Sequence, residues 1–568
     1  MKNKKTIWFL GVILLLAIFL RTFNLNRVPP SLFGDEVDVG YQAYSILKTG
    51  KDYLGQSFPT YIHSLAEWRA PLLMYFTVPS IAIFGLNEWG VRIPPAIFGV
   101  LNVLFCYLLI KELFKNGRWA LLGAFLIAIN PWNIHYSRAA FEVTLLLFLI
   151  LAGSWCFLRG ISKPWYLLGT AILFGLTFYT YNTANVFIPL LIIILIVIWR
   201  KEILRLKNKP AFWFSLVIFL LFLIPISKEL ILGQAKERFG LISVFSDQKI
   251  IQEIHLRRLG GVSFSQPSSK ISFWERIFTN RPVYWFLAIS QNYLAAFSPD
   301  FLFARGDPFF RHSVGKVGEF YLIEVIFVIL GSIVLINYKG KEKWFVFLWL
   351  LIAPIPSSLT KDGGNHATRL FLMIPPIVVL SSAGAVQLIK LGKNKKGRLF
   401  WLLGMLLIVS SLFFNFAFYL NRYFVWYPKE SWKYWGYGFK EAMVFIGKHQ
   451  GEFEEVLISN SQDPALIRYL FWTNYDPVKF QQSFTGDKPS ENILPGFDGF
   501  KLGNAFFVKP RQSGWWEKVL TPKVLYLASQ DDIGGDWDWR KNPPQGVKVL
   551  ETITNPYSQP IFWLVTHE

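Results

Sequence analysis

The stretch TIWFLGVILLLAIFLRT (residues 6–22) and the motif FGDE (33–36) that follows it decide the fold that we predict. Residues 6–22 form an apolar run of about the length that a membrane-spanning helix needs. The start KNKK (2–5) resembles that of a signal peptide, but no small-residue cleavage site follows the run. We therefore predict an uncleaved first span, with two adjacent carboxylates, Asp35 and Glu36, just beyond it at the membrane surface.

The composition of the chain points to a bilayer. Of its 568 residues, 53% are hydrophobic and 18% are aromatic, which is too apolar for an ordinary soluble enzyme. The apolar runs of spanning length or nearly so are 6–22, 71–86, 93–113, 118–132, 139–159, 165–182, 184–200, 211–229, 319–338, 343–359, 367–390 and 398–419. After these runs, residues 420–568 become polar, aromatic and rich in turn residues. Two parts are therefore predicted, a membrane part and a C-terminal soluble part.

The net charge of +21 does not indicate a nucleic-acid partner here. The basic residues cluster in short loops between apolar runs, which is typical of loops on the cytoplasmic side of a membrane. Both cysteines, Cys106 and Cys156, fall within apolar runs. A disulfide framework or a cysteine metal site is therefore not expected.

The basic loops also fix a predicted topology. If KNKK (2–5) and KELFKNGR (111–118) both lie inside, an even number of spans must separate them, but three candidate runs do so. The run 71–86 is short and carries Pro79 in its middle, so we predict an interfacial or half-inserted helix there. Eleven spans remain, with the N-terminus inside. The segments predicted to lie outside are 23–92, 131–138, 181–184, 230–318, 358–367 and 420–568.

The predicted fold class is an α-helical polytopic membrane protein with a C-terminal α/β domain. Residues 1–419 form the membrane domain, with outward loops at 23–92 and 230–318, and residues 420–568 form an extracytoplasmic domain. In the latter, EEVLISN, PKVLYLAS, VKVLETI and IFWLVTHE are typical of strands, and WYPKESWKYWGYGFKEAMVFIGKH is typical of a helix. Its tryptophans could stack on sugars, but packing in the core or at the membrane interface is favoured.

The outward segments hold most of the polar residues that could carry chemistry. An acidic pair at a membrane interface costs desolvation, which makes Asp35 and Glu36 a candidate site. The alternative is that Asp35 caps a short amphipathic helix, and a cap would not exclude a site. The other candidates are Arg69, Arg138, Glu142, Tyr181, Asn182, Arg305, Asp307, Arg311, His312, Lys361, His366 and Arg369.

Each of these candidates also has an ordinary structural interpretation. Arg138 and Glu142 lie four residues apart and could pair on a helix, and Tyr181 could belong to an interfacial aromatic belt. The charged residues of 300–312 could be a solvated turn, although five ionisable groups exceed what a turn requires. The cations of 361–369 lie in a segment predicted to be outside, where the positive-inside rule predicts few basic residues. This placement favours an anionic partner.

Carboxylates beside outward-facing cations suit a substrate with an anionic head and a lipid tail. A carboxylate could take a proton from an acceptor or hold a cation, and basic groups could neutralise a phosphate leaving group. No Walker loop, HExxH motif or Cys/His zinc spacing is present. A nucleotide-driven pump and a membrane zinc protease therefore have no support.

The series of motifs resembles the polyprenyl-phosphate-dependent glycosyltransferases of the GT-C fold. The resemblance is to family 39, the protein mannosyltransferase and aminoarabinose transferase-like group, and within it to a bacterial subgroup. It covers essentially the whole membrane domain. The segments that carry it, after FGDE, are NPWNIHYSRAAFE (130–142), FYTYNTANVFIPLL (178–191), FSPDFLFARGDPFFRHSVGKVGEFYLIE (297–324) and HATRLFLMIPP (366–376).

This resemblance implies an inverting transfer of a sugar from a lipid phosphate to an acceptor on the outer face of the membrane. It implies Asp35 as general base and Glu36 as its neighbour that positions substrate. His366 and Arg369 would lie on the phosphate side, with Arg305 and Arg311 as weaker candidates. The remaining residues implied near the substrate are Arg138 and Glu142. In EWRAPLL (67–73), Arg69 stands where some relatives carry lysine before the proline.

The resemblance leaves metal dependence open. Oligosaccharyltransferase-like enzymes of this fold bind a divalent metal through acidic residues, whereas mannosyltransferase-like ones are thought to work without it. Asp35, Glu36 and Glu142 could supply oxygen ligands, but no spacing demands a metal. We expect no required cofactor and no metal ligands, while a divalent metal stays an option.

The expected partners are a polyprenyl-phosphate-linked sugar, an acceptor that is a protein, lipid or glycan, and the bilayer, without nucleic acid. The expected location is the plasma (inner) membrane. The alternative function is a transporter or flippase of lipid-linked saccharide. That class would place ionisable residues near mid-membrane, often with inverted repeats. Because the polar residues collect in outward loops, an enzyme that works at one face is favoured.

Overall fold

The computed structural model describes residues 2–64, 68–231, 240–258, 273–391, 398–484, 489–494, 497–509, 520–533 and 538–568. The helices of the first half are Lys2–Thr22, Gly34–Thr49, Leu72–Phe84, Glu88–Phe114, Gly117–Ile129, Pro131–Tyr136, Glu142–Ser162, Tyr166–Thr177, Ala184–Ile198, Arg200–Leu206, Pro210–Ile231, Gln248–Arg258, Phe273–Phe278 and Arg281–Ala295. Those of the second half are Glu324–Ile336, Glu342–Ile352, Ile355–Ser358, Ala367–Leu370, Ile374–Leu391, Arg398–Asn421, Tyr427–Glu430, Phe439–His449, Leu466–Trp472, Pro477–Ser483 and Gln530–Ile533.

All twelve apolar runs singled out in the sequence coincide with helices. Within the described ranges, six helices are long and apolar enough to cross a membrane. Five shorter apolar helices, of 10–17 residues, include Leu72–Phe84. At about 1.5 Å per residue, the 13 residues of Leu72–Phe84 span about 20 Å, less than the hydrocarbon core. Length does not separate it from Gly117–Ile129, also of 13 residues, so the count of eleven spans stays a prediction.

The chain divides into two compact units. The first consists of Met1–Leu20, Phe98–Tyr136 and Glu142–Tyr419, and the second of Arg21–Ile97, Ser137–Phe141 and Leu420–Glu568. This grouping differs from the predicted boundary at residue 419, because 21–97 and 137–141 pack with the C-terminal segment. Hydropathy distinguishes membrane from aqueous segments but carries no information on which polar segments pack together.

The first unit is a bundle of apolar helices that approach closely at glycines. On Glu324–Ile336, a methyl group at Gly331 would overlap the carbonyl of Leu380, and one at Gly384 would overlap the carbonyl of Phe327. The two helices, Glu324–Ile336 and Ile374–Leu391, therefore cross almost backbone to backbone. Small residues permit this close packing in membrane bundles.

The second unit contains a mixed seven-stranded sheet. Its strands are β3 (Glu455–Ser459), β4 (Ser490–Leu494), β5 (Phe497–Leu502), β6 (Ala505–Val508), β7 (Val524–Ser529), β8 (Val547–Thr554) and β9 (Pro560–His567), following a short hairpin of β1 (Ile62–His63) and β2 (Trp68–Arg69). The order is β4-β5-β6-β3-β7-β9-β8, and β3 runs parallel to β6 and β7. The four strands predicted from sequence are confirmed. The predicted α/β character of the C-terminal segment follows from them.

The predicted C-terminal helix is interrupted. The helix Phe439–His449 is preceded by short helical turns at Tyr427–Glu430 and Trp432–Trp435. Gly436 and Gly438 separate them with φ of 63° and 91°, a left-handed conformation that glycine adopts without strain. Two of the tryptophans in this segment and nearby, Trp435 and Trp472, are buried, as expected for packing residues. Trp426 is half exposed.

Candidate functional site

The acidic pair lies on the first turn of the helix Gly34–Thr49. Phe33 precedes this helix in extended conformation and, among the described residues, makes no side-chain cap hydrogen bond. The interpretation of Asp35 as the N-cap is therefore wrong, because the helix begins at Gly34 and Asp35 lies inside its first turn. In the first turn, the carboxylates of Asp35 and Glu36 are favoured by the helix dipole.

Asp35 is the accessible member of the pair. Its side chain is 47% exposed, and its Oδ2 lies 2.5 Å from an Nη atom of Arg69. Arg69 is buried on β2 and also lies 3.7 Å from the carboxylate of Asp38, one turn along the helix. Arg69 thus holds a positive charge against a carboxylate that solvent can reach. Asp38 was not singled out in the sequence.

Glu36 has the opposite surroundings. Its side chain has no exposed surface, and both carboxylate oxygens accept hydrogen bonds from Arg92, at 2.9 and 3.0 Å. The backbone N–H of Ala140 also donates to Glu36, at 3.2 Å. Burial raises the pKa of the Glu36 carboxyl, while the Arg92 guanidinium opposes this shift. Glu36 is therefore a buried ion-pair partner without contact to solvent.

Arg92 connects this ion pair to the segment before the helix. Its guanidinium donates to the carbonyls of Leu25 and Pro29, each at 3.0 Å, and to that of Ser31. Arg92 was not predicted as a functional residue from the sequence. The available signal was an arginine next to the apolar run 93–113, where a buried charge needs a partner.

Arg138 is also buried. It donates to the carbonyls of Phe23 and Val28, both at 2.8 Å, and lies 5.5 and 5.0 Å from the rings of Tyr423 and Phe424. These contacts fix the segment that follows the first helix. Because the side chain has no exposed surface, a direct contact with substrate is not supported for Arg138.

Within the first unit, three predicted residues come together: Asp307, His312 and His366. The Asp307 carboxylate accepts backbone N–H groups of Phe309 and Ala367, both at 2.8 Å, and lies 3.4 Å from His312 Nδ1. Burial raises the pKa of the Asp307 carboxyl, but His312 and the two N–H groups lower it more, so the net pKa lies below its usual value. A well-oriented, ionised carboxylate results.

The two imidazoles of this cluster face each other. The rings of His312 and His366 have centroids 4.6 Å apart and an interplanar angle of 32°. Burial, together with the positive charge of Arg369, lowers the pKa of His366 to about 3. His366 is therefore neutral at physiological pH. Glu319, which was not predicted from the sequence, is buried, and its carboxyl accepts the Asp307 N–H at 3.0 Å.

The predicted cations of the same unit differ in their surroundings. Arg369 is half-buried and donates to Thr360 Oγ1 at 2.6 Å, and Lys361 donates to the Leu241 carbonyl at 2.7 Å. Arg305 is 78% exposed and pairs with Asp300 at 2.7 Å. Arg305 thus matches the solvated-turn interpretation.

The other predicted residues lie on loops or at helix starts. The Arg311 carbonyl accepts a hydrogen bond from His135 Nε2 at 2.8 Å. Tyr181 and Asn182 are half-buried in the turn before the helix Ala184–Ile198. Glu142 begins the helix Glu142–Ser162 and is half-buried. Their contribution to a site stays a prediction.

Comparison with known proteins identifies the fold. The family model described as dolichyl-phosphate-mannose-protein mannosyltransferase matches residues 68–227. ArnT from Cupriavidus metallidurans, solved with undecaprenyl phosphate, superposes with a TM-score of 0.54 at 12% identity, over 100% of this chain and 98% of that one. The chain has the GT-C fold. The archaeal oligosaccharyltransferase AglB from Archaeoglobus fulgidus, solved with an inhibitory peptide and dolichol-phosphate, gives 0.51 at 17% identity, over 83% of this chain and 64% of that one.

A sequence relative agrees with this GT-C assignment. The Bacillus subtilis protein named "Putative mannosyltransferase YycA" is 28% identical over 182 residues, or 31% of this chain. The match spans a quarter of that relative's length. The resemblance predicted from the motifs is confirmed, as is the multi-pass membrane class.

Proposed function

We propose that this GT-C chain is an integral-membrane glycosyltransferase that moves a sugar from a polyprenyl-phosphate donor to an acceptor on the outer face of the plasma membrane. The observation that carries the proposal is the half-exposed Asp35 carboxylate, held beside Arg69 on the first turn of a helix. Full-length likeness to ArnT, which was solved with undecaprenyl phosphate, supports the class of donor.

The proposed reaction is a single displacement at the anomeric carbon. An acceptor hydroxyl forms the new bond to that carbon while the bond to the phosphate oxygen breaks. Asp35 takes the hydroxyl proton, and polyprenyl phosphate leaves as the anion. The resemblance to inverting enzymes supports this geometry. A general base of this kind contributes about 10²–10⁴-fold to the rate.

The role proposed here for Glu36 differs from the role that the resemblance implied. Because Arg92 holds both of its oxygens in a buried pair, Glu36 fixes the helix that presents Asp35 and does not itself contact substrate. Arg138 acts similarly on the segment that contains Phe23 and Val28. Both are therefore positioning residues.

Within the first unit, Arg369 and Lys361 are the cations that we propose for binding a lipid phosphate. Both are cations in a segment predicted to face outward, and Arg369 is oriented by Thr360. His366 is neutral, so it would add hydrogen bonding rather than charge. Arginine suits the binding of a phosphate, because its guanidinium is planar and always charged.

We propose that transfer at Asp35 needs no divalent cation. Arg69 already neutralises Asp35, and Arg92 neutralises Glu36, so a dication at this pair would meet two guanidinium groups. Divalent ions take oxygen ligands such as carboxylates, and a guanidinium next to the same carboxylate repels the ion.

The test is sugar transfer by purified full-length protein in lipid, using a panel of radiolabelled polyprenyl-phosphate sugars. Wild type is compared with Asp35→Asn and with Glu253→Gln, a matched control on an exposed carboxylate that pairs with Arg257. We expect Asp35→Asn to lose about 10²–10⁴-fold in kcat, and the control to retain activity. Added Mg²⁺ or Mn²⁺ should leave the wild-type rate unchanged.

Two outcomes would contradict the proposal. Full activity of Asp35→Asn would exclude this residue as the base. Failure of wild type to turn over any donor, together with movement of lipid-linked sugar between leaflets, would replace the enzyme by a transporter.

A further inference from the structure

We propose that Asp307, His312 and His366 form a binding site for one zinc ion. The candidate ligand atoms, one from each residue, all lie within 4.8 Å of one another. Two imidazoles and one carboxylate are a ligand set that zinc uses when a fourth position stays open to water. The inference rests on this geometry and does not depend on the proposed glycosyl transfer.

The spacing of Asp307 and His312 fits two ligands of one ion better than it fits a hydrogen bond. His312 Nδ1 lies 3.4 Å from Asp307 Oδ2, beyond the usual N–H···O range of about 2.7–3.2 Å. With metal–ligand bonds of about 2.0–2.2 Å, two ligands of a tetrahedral zinc lie roughly 3.3–3.6 Å apart. This pair is therefore already at the separation that zinc requires.

His366 approaches the pair from a separate segment. Its ring lies 4.6 Å from that of His312, and its Nδ1 is buried and accepts or donates no hydrogen bond among the described residues. A buried polar atom without a hydrogen bond costs free energy. On binding one zinc ion, the ligand atoms, which now lie within 4.8 Å of one another, would approach to roughly 3.3–3.6 Å.

Backbone groups around the cluster orient its carboxylate. The N–H groups of Phe309 and Ala367 both donate to Asp307 at 2.8 Å, and the Asp307 N–H donates to Glu319 at 3.0 Å. Outer hydrogen bonds of this kind fix the ligands of metal sites. The buried Glu319 carboxyl, which accepts the Asp307 N–H, adds a further fixed contact behind this ligand.

Zinc at this position would join two segments that are distant in sequence. Asp307 and His312 belong to the loop that ends at the helix Glu324–Ile336, and His366 precedes the helix Ala367–Leu370. At present the Ala367–Asp307 hydrogen bond links them directly. Sequence spacing could not reveal such a site, because no short motif contains the three ligands.

The experiment measures zinc in the purified full-length protein, carrying an affinity tag without histidine. The protein in detergent is stripped with EDTA, reloaded with Zn²⁺ and desalted, and its metal content is measured by mass spectrometry. We expect about one zinc per chain in wild type and in the control His255→Ala, an exposed histidine on a different helix. Asp307→Asn and His366→Gln should each bind zinc at least about tenfold more weakly, in a titration against a chelating dye.

A second measurement keeps the test valid if a variant does not fold. Wild type loaded with Co²⁺ should show the visible absorption of a four-coordinate nitrogen and oxygen site, which added Zn²⁺ removes. Absence of bound zinc in wild type would overturn the proposal. Equal zinc content in folded wild type and both ligand variants would also overturn it, because the metal would then lie elsewhere.

Discussion

At the scale of single residues, Asp35 and Glu36 are adjacent in the sequence but differ in their exposure and in their ion-pair partners. The sequence predicted an acidic site here because two carboxylates at a membrane surface need a partner or a role. The sequence could not show that the two residues have different surroundings, because Arg92, the partner of Glu36, lies 56 residues further along the chain. Asp35 keeps almost half of its surface exposed, while Glu36 has none. The difference comes from tertiary packing.

The buried pair Glu36–Arg92 predicts a large effect on stability. Glu36→Gln would leave the Arg92 charge buried without its carboxylate, and Arg92→Met would do the same to Glu36. Breaking a buried pair by removing one partner costs about 3–5 kcal/mol. Both variants should unfold at clearly lower temperature than wild type, measured by thermal unfolding in detergent.

The matched control is the exposed pair Glu253–Arg257, whose side chains are 49% and 64% exposed. Glu253→Gln should change the free energy of unfolding by no more than about 0.5 kcal/mol. Equal unfolding temperatures for Glu36→Gln and Glu253→Gln would show that the buried pair does not stabilise the fold.

At the scale of elements, hydropathy and pattern predicted most helices and strands. The twelve apolar runs and four C-terminal strands could be predicted because each is long or strongly patterned. The residues at which helices begin and end were harder to predict. Phe33 rather than a polar residue precedes Gly34–Thr49, and Gly436 and Gly438 break the predicted C-terminal helix. No polar cap residue marks the start of Gly34–Thr49, and the two glycines lie inside a segment whose pattern predicted one continuous helix.

The crossing of Glu324–Ile336 and Ile374–Leu391 yields a prediction about glycine. Gly331→Ala and Gly384→Ala would each drive a methyl group into a backbone carbonyl of the other helix, which cannot move away as a side chain could. Overpacking of this kind costs about 1–3 kcal/mol. We expect both variants to lower the unfolding temperature in detergent.

Gly404, on Arg398–Asn421, offers a matched control. Within the part of the chain that the structure describes, nothing lies within 4 Å of a methyl group placed there. Gly404→Ala should be neutral or stabilise the helix by up to about 1 kcal/mol, because alanine favours helices over glycine. Unchanged stability of all three variants would mean that the helices separate at little cost.

At the scale of the whole molecule, the membrane class followed from composition and charge, but the grouping of segments did not. Residues 21–97 pack with the C-terminal part of the chain, and residues 300–312 contact the segment that begins at 366. Such contacts depend on three-dimensional packing between segments with no local pattern in common. Sequence could therefore predict which polar segments are candidates for chemistry, but not which of their charges are paired within the fold.

The orientation of the chain depends on whether Leu72–Phe84 crosses the membrane. With eleven spans and the N-terminus inside, the loop around Lys163 is cytoplasmic and the C-terminal domain is outside. If Leu72–Phe84 also crossed, every later segment would change sides. Lys163 and Lys548, both exposed, would then exchange their positions relative to the membrane.

Single cysteines at these two positions test this directly. The native Cys106 and Cys156 are buried, so they should contribute little background. In intact cells, a membrane-impermeant maleimide should label Lys548→Cys but label Lys163→Cys only after permeabilisation, and an N-terminal epitope should likewise stay hidden until then. The reverse labelling of the two cysteines, with the epitope still hidden, would mean that Leu72–Phe84 crosses the bilayer. Asp35 would remain outside in either case, because only one span precedes it, whereas Asp307, His312 and His366 would move to the cytoplasmic side.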